Sequence, residues 1–376
     1  MKDIIGQERV KSFLLQLAAS ERVPHALLFL GNTGSGNLAL ASAFAQVLQC
    51  EKSGTGLFQA DNNDLEDACG VCSACRKAAA FVHPDIHFSF PTVGTNAVSN
   101  DYIKEWRKFL GETPYSDAND WLQRLNAENK QGNITKEECN AIIKKLSLKA
   151  FEGRYKILVM WLPEYLGKEG NRLLKLIEEP PEQTIFLLAA ENQDQILNTI
   201  LSRCQLVKID RLSDEEVATG LEKRLRLDPE RARQIAFLAG GDFGAALAAA
   251  ESAENDNAAD FLDWLRKCWR GNAVELVKWT DEFAKLGREN QKQFLHYGLH
   301  FLREMMALVA TGNTTLRLRP TELATAQNMA KVLDFDKIGQ LIGLFNDNIT
   351  FVERNANPKI LFLDSSIQMN KILKGV

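Results

Sequence analysis

The sequence predicts an α/β fold built on a parallel sheet, followed by segments that are helical throughout. Three observations carry this reading. Short apolar runs alternate with helical stretches over the first two-thirds of the chain; an early strand passes through a glycine-rich turn into an alanine-rich helix; and after Asp210 no convincing strand pattern returns.

Taken in order, Ala26–Leu30 reads as a buried strand that enters Gly31-Asn32-Thr33-Gly34-Ser35-Gly36 and then a helix from about Leu38 to Leu48. His83 and His87 flank Pro84-Asp85 in a loop entering a strand. Further strands are predicted at Tyr155–Trp161, Thr184–Ala190 and Gln205–Ile209, and a helix at Asn171–Glu179, stopped by Pro180-Pro181. Ser213 is a good N-cap with Glu216 at the capping-box position. Gly240-Gly241 breaks the helical region, Ala253–Asn257 reads as a linker, and the rest of the chain reads as a helix bundle. Residues 94–133 look like an insertion, partly mobile, around an aromatic helix carrying Tyr102, Trp106 and Phe109. Trp264, Trp269 and Trp279 fall in helical stretches and are read as core rather than as base-stacking platforms.

The 376 residues are 45% hydrophobic and 25% charged, enough for two or three domains. A net charge of −4 argues against a protein that grips a DNA backbone by itself. No apolar run reaches the ~18 residues a membrane span needs, and the start, broken by Gln7, Glu8, Arg9 and Lys11, opens no signal peptide, so a cytoplasmic location is expected. Seven cysteines in a core-forming chain point to metal binding or burial rather than a disulfide scaffold.

The glycine turn has the frame of a phosphate loop, G-x-x-x-x-G-K-[ST], in the right strand-to-helix context. Asn37 stands where the lysine belongs and Leu38 where the Mg²⁺-holding hydroxyl belongs. The cofactor-binding candidates are therefore Gly31, Gly34, Gly36 and Asn37 of a degenerate loop. Its amides can still cradle an anion, but ATP hydrolysis is not expected. At the end of the Tyr155–Trp161 strand, Trp161 and Leu162 occupy the places where an ATPase carries its Mg²⁺-binding Asp and water-orienting Glu; Glu164 is two residues off register. Cys69, Cys72 and Cys75 form C-x-x-C-x-x-C, with Cys50 upstream. The set suits a structural tetrahedral Zn²⁺, with an iron–sulfur cluster or incidental thiols as the other readings and His83 as a substitute for Cys50.

Pro24–Gly31, the Asn171–Pro181 run ending in Glu-Glu-Pro-Pro, and Thr199-Ile200-Leu201-Ser202-Arg203-Cys204 resemble signature segments of bacterial clamp-loader subunits of the AAA+ superfamily, and Ile4-Ile5-Gly6-Gln7 fits the same pattern. The resemblance covers residues 1–250. With the phosphate-loop lysine and acidic strand end lost, with Ala190-Glu191 at the sensor place and with Gly244 where an active subunit carries a sensing arginine, the chain resembles the delta-prime-type branch of the DNA polymerase III clamp loader.

That resemblance implies an AAA+ P-loop-like domain over residues 1–209, with a zinc module at 50–75 and the insertion at 94–133. A helical lid over 210–255 and a helical collar over 256–376 would complete the chain. It implies a subunit without intrinsic ATPase activity that acts as ring scaffold and donates Arg203 in trans to a neighbouring subunit's nucleotide; Ser202 and Cys204 are read as structural. The implied partners are gamma/tau-type ATPase subunits and a delta-type subunit, and through them the sliding clamp and primer-template DNA. Two other readings are an active AAA+ motor ATPase and a zinc-dependent DNA-binding module. Lone His25 is read as structural, and Lys144-Lys145 to Lys149 as a solvated face able to meet DNA phosphates in an assembly.

Overall fold

Five short strands, β1 (Ala26–Leu30), β2 (Ile86–Ser89), β3 (Lys156–Trp161), β4 (Thr184–Ala190) and β5 (Gln205–Lys208), pair in the order β2-β3-β4-β1-β5, every pair parallel. The computed structural model describes residues 1–20, 22–52, 67–127, 130–251, 257–312, 316 and 318–375. β3 and β4 are buried along their whole length, which is why they read as unbroken apolar runs rather than alternating ones. Helices cover both faces. One face packs Phe29, Ile157, Val159 and Leu187 against the helix Asn37–Gln49 and its Phe44; the other packs Leu28, Leu158, Phe186 and Leu188 against Lys136–Leu146 and its neighbours.

The chain divides into two compact units, residues 1–250 and 251–376. The first includes the short helices Asp214–Leu225 and Pro229–Ala239 and all but the last residue of Phe243–Glu251. Ser213 and Glu216 form the expected reciprocal capping box, and Gly240 takes a left-handed conformation to end the second of these helices. The second unit is helical in all its described elements. Its core gathers Phe261, Trp264, Trp279, Phe283, Phe294, Phe345 and Phe362, with the buried indole N–H of Trp264 donating to Ser366 Oγ at 2.9 Å.

Three expectations change and a fourth falls almost wholly outside the described residues. Asn171–Glu179 is not one α-helix: only Leu174–Glu178 is α, preceded by a 3₁₀ segment from Pro163 that is broken at Gly167, whose φ of 48° only glycine adopts freely. The insertion is packed, not loose. Its helices Ile103–Glu112 and Ala118–Arg124 bury Trp106, Phe109 and Trp121 against Phe90, with Trp106 stacked on Phe90 at 4.0 Å. Trp269 is 46% exposed and leaves the core to Trp264 and Trp279. The proposed linker 253–257 lies, save for Asn257 at a helix start, outside the described residues.

Candidate nucleotide and metal sites

In an open parallel sheet, ligands bind beyond the carboxyl ends of the strands, where connections diverge to either side. β1 has that position: it lies between β4 and β5, and the glycine loop leaves its carboxyl end. The loop's geometry is phosphate-loop-like, with Gly34 and Gly36 at φ 72° and 95° and Gly36 starting the helix Asn37–Gln49.

The chemistry has turned inward. Asn37 is buried, and its Nδ2 donates to the carbonyls of Gly31 (2.7 Å) and Ala190 (2.8 Å), tying the helix start to the ends of β1 and β4. A side chain bonded to two backbone oxygens presents nothing to a phosphate. Leu38 is buried in the core below. At the carboxyl end of β3, Trp161 is 3% exposed and lies 5.3 Å from Trp106 and 5.8 Å from Phe109, ring centre to ring centre. Where a hydrolytic site needs a carboxylate beside water, this chain has a dry aromatic cluster shared with the insertion.

The carboxylates that remain nearby are used structurally. Glu164 Oε1 accepts the backbone N–H groups of Glu191 (2.6 Å) and Asn192 (2.7 Å), capping the end of β4, while burial raises its pKa. Glu191 accepts from Thr33 Oγ1 at 2.9 Å; burial pushes its carboxyl up to about 7. Asp242 is likewise raised, mainly by burial, and accepts from the Ala245 backbone N–H at 2.9 Å. None of these three carboxyl groups brings the positive charge that a polyphosphate needs beside a glycine loop.

The helical segment after β5 closes over the loop. The Phe243 N–H donates to the Gly34 carbonyl at 3.2 Å, and a Cβ on Gly34 would collide with Asp242. Gly244 lies so close to the Tyr115 carbonyl that a Cβ would stand 2.5 Å from it. What remains between Asn32, Thr33, Arg211 and Gly240–Asp242 is a cleft of about 220 Å³, below the roughly 300–1,000 Å³ usual for ligand pockets.

At the other end of Asn37–Gln49 stands a second cluster. Cys50 is the residue that caps this helix, and its sulfur lies with those of Cys69, Cys72 and Cys75, all within 4.8 Å of one another. Three backbone amides aim at the sulfurs: Cys69 N–H at Cys50 Sγ (3.4 Å), Cys72 N–H at Cys69 Sγ (3.4 Å) and Cys75 N–H at Cys72 Sγ (3.3 Å). The Cys72 and Val71 amides draw the Cys69 thiol down to about 6, and burial raises that of Cys75. These four cysteines are positioned to bind a metal ion. His83 is not among them: it is buried, accepts from the Asp85 N–H at 3.2 Å, and burial lowers its pKa.

Arg203 sits at the end of the turn after Asn198–Leu201. Its guanidinium donates to the Thr199 carbonyl (2.8 Å), Ser202 Oγ (3.3 Å) and Glu178 Oε1 (3.1 Å), and its side chain is 30% exposed. The Arg-bearing turn is thus tied to the Glu-Glu-Pro-Pro run. Ser202 Oγ bonds the Thr199 carbonyl as a turn hydroxyl, and Cys204 is half-buried. His25 is exposed, its carbonyl accepting from Phe186 N–H in the sheet; His87 lies on β2, pushed down to about 4 mainly by burial. Lys144 and Lys149 are exposed and Lys145 half-buried.

Residues 6–213, more than half of the chain, match the family described as DNA polymerase III, delta subunit. The chain belongs to this family. Among curated relatives, it is 26% identical to the DNA polymerase III subunit delta' of Escherichia coli over 60% of this chain and 54% of that protein. It is also 26% identical to the tau subunit of the same organism over 67% of this chain and 32% of that protein, and 25% identical to the tau subunit of Bacillus subtilis over 59% and 31%. The chain therefore spans about a third of the length of the tau subunits it matches. Sequence reasoning noted Glu164 only as off register and did not anticipate Tyr115 or Asp242, because a loop tyrosine between Pro114 and Ser116 and a lone acid carry no motif.

Proposed function

We propose that this chain is an ATPase-silent, delta-prime-type subunit of a cytoplasmic clamp loader. The observation that carries the reading is the inward turn of the former catalytic positions: Asn37 bonds the Gly31 and Ala190 carbonyls, and Trp161 is packed among aromatics. Neither can meet a phosphate or a Mg²⁺ without dismantling the core. The active-motor reading requires both to do so, and a free-standing DNA-binding module is opposed by the net charge of −4.

In this reading the chain contributes to chemistry in trans. Arg203, on an outward turn, reaches the nucleotide of a neighbouring gamma/tau-type subunit, where a planar guanidinium stabilises charge developing on the phosphoryl oxygens. The helical unit 251–376 serves as the collar that holds the ring, and the partners are the ATPase subunits and a delta-type subunit, with the sliding clamp and primed DNA reached through the assembly. Cys50, Cys69, Cys72 and Cys75 hold one structural Zn²⁺. The 3.9 Å between Cys69 and Cys75 sulfurs matches the roughly 3.8 Å edge of a tetrahedron with 2.3 Å Zn–S bonds.

The test is DNA-stimulated ATP turnover by the reconstituted loader with wild-type chain or Arg203→Ala, after equal assembly has been shown. The expected result is a loss of roughly tenfold or more, smaller than the 10³–10⁵ such groups contribute in GTPases because other sites in the ring keep their own arginines. Unchanged turnover would remove the in-trans role; turnover by the purified chain alone would remove the silent-subunit reading.

A further inference from the structure

The insertion ends its first helix at Glu112 and begins its second at Ala118, and the five residues between run across the mouth of the glycine loop. Tyr115, in the middle, is 4% exposed although it lies on a connecting segment. Its ring meets Gly36, where an added Cβ would lie 3.0 Å from the ring edge, and stands edge-on to Phe243 at 5.0 Å between centres. Its hydroxyl oxygen accepts the Ile5 backbone N–H at 2.9 Å. Ala39, Leu212, Val217 and Phe243 complete the apolar surroundings. The flanks are fastened as well: Arg224 donates to the Glu112 carbonyl at 2.8 Å, and Asp117 caps the second helix.

We propose that residues 113–117 are an intramolecular plug, with the Tyr115 ring seated where the glycine loop, the Ile4–Gln7 segment and the closing helices would otherwise enclose the base of a purine nucleotide. The features around the ring are those a planar heterocycle needs: a backbone N–H donor at one edge, an aromatic edge against one side, and a glycine at the start of a helix that permits close approach. A tyrosine supplies the plane and the acceptor from within the chain, at no cost in association entropy. This deepens the silent-subunit reading, on which it rests: the loop lacks hydrolytic groups, and in addition its cleft is already occupied. It also gives the insertion a purpose, since the same two helices fill the carboxyl end of β3 with Trp106 and Phe109 and the nucleotide cleft with Tyr115.

The experiment is calorimetric titration of the full chain with ADP–Mg²⁺ and with adenosine, for wild type, Tyr115→Phe and Tyr115→Ala. Wild type and Tyr115→Phe, which keeps the ring, are expected to show no saturable binding up to about 1 mM. Tyr115→Ala is expected to bind adenosine or ADP at least roughly tenfold more tightly, as the occupancy of the cleft is relieved. A folded Tyr115→Ala chain that binds neither probe overturns the plug. Should that variant fail to fold, the first two chains still decide: wild type, or Tyr115→Phe, binding ADP well below about 1 mM overturns it. Binding by wild type without turnover sinks the plug and leaves the silent-subunit reading standing, whereas turnover sinks that reading itself.

Discussion

The helix Asn37–Gln49 has a site at each end, and the two have had opposite fates. At its N-terminus the glycine turn has no side chain free to meet a phosphate: Asn37 binds backbone, Leu38 and Trp161 join the core, and Tyr115 packs against Gly36 and Phe243. At its C-terminus four thiols remain gathered within 4.8 Å. A glycine frame has a second use as a tight strand-to-helix connection, which does not depend on catalysis. A cluster of four thiols, with Cys50 and Cys75 buried, has little use without a cation, because the charge that makes them ligands is costly to bury alone.

The largest effect is expected at the cysteine end. Cys72→Ser should reduce bound zinc, measured by mass spectrometry of the native chain, from one ion per chain to none and lower the thermal midpoint of the first unit more than any change at the loop, since structural zinc contributes roughly 10 kcal/mol in small finger peptides. An unchanged midpoint would mean the cluster is incidental. Next comes Trp161→Asp, which restores an acid at the end of β3. Losing a buried indole costs about 3–5 kcal/mol and burying an unpaired carboxylate adds to it; denaturant unfolding should show that loss with no gain of ATPase activity. Stability equal to wild type would show that the strand end is still open to water.

The smallest effect is a pH dependence at Glu191. Burial raises its carboxyl from the ordinary value of 4.5 to about 7. Below 4.5 it is protonated in folded and unfolded chains alike and carries no penalty. As pH rises through this window the unfolded chain releases a proton that the folded chain keeps, so stability falls, and the penalty is complete above 7. Glu191→Gln should therefore leave the melting temperature unchanged in acid and raise stability by roughly 1–3 kcal/mol at alkaline pH. An equal effect at both pH values would break the assignment of burial as the cause.

Much of the sheet could be read along the chain, because β1, β3 and β4 are buried on both faces and so appear as continuous apolar runs bounded by turns. β2 was only half visible: four residues long and preceded by Pro84-Asp85, it is anchored by its pairing with β3 rather than by its own pattern. The 3₁₀ segment from Pro163 escaped because its helical periodicity hides the break at Gly167. Trp269 reads like its neighbours Trp264 and Trp279, yet only the bundle's packing decides which helix face is inside.

By itself the sequence determined what is covalent and local: which groups the loop and the end of β3 no longer carry, where the thiols stand along the chain, where Ser213 and Gly240 begin and end helices. The tertiary structure decided what took the lost groups' place. That Asn37 turns to the Ala190 carbonyl, that Trp161 meets Trp106, and that Tyr115 reaches Ile5 across 110 residues of chain are long-range contacts. Such contacts depend on excluding water from a shared volume, and neither residue type nor spacing along the chain specifies which side chains will share it.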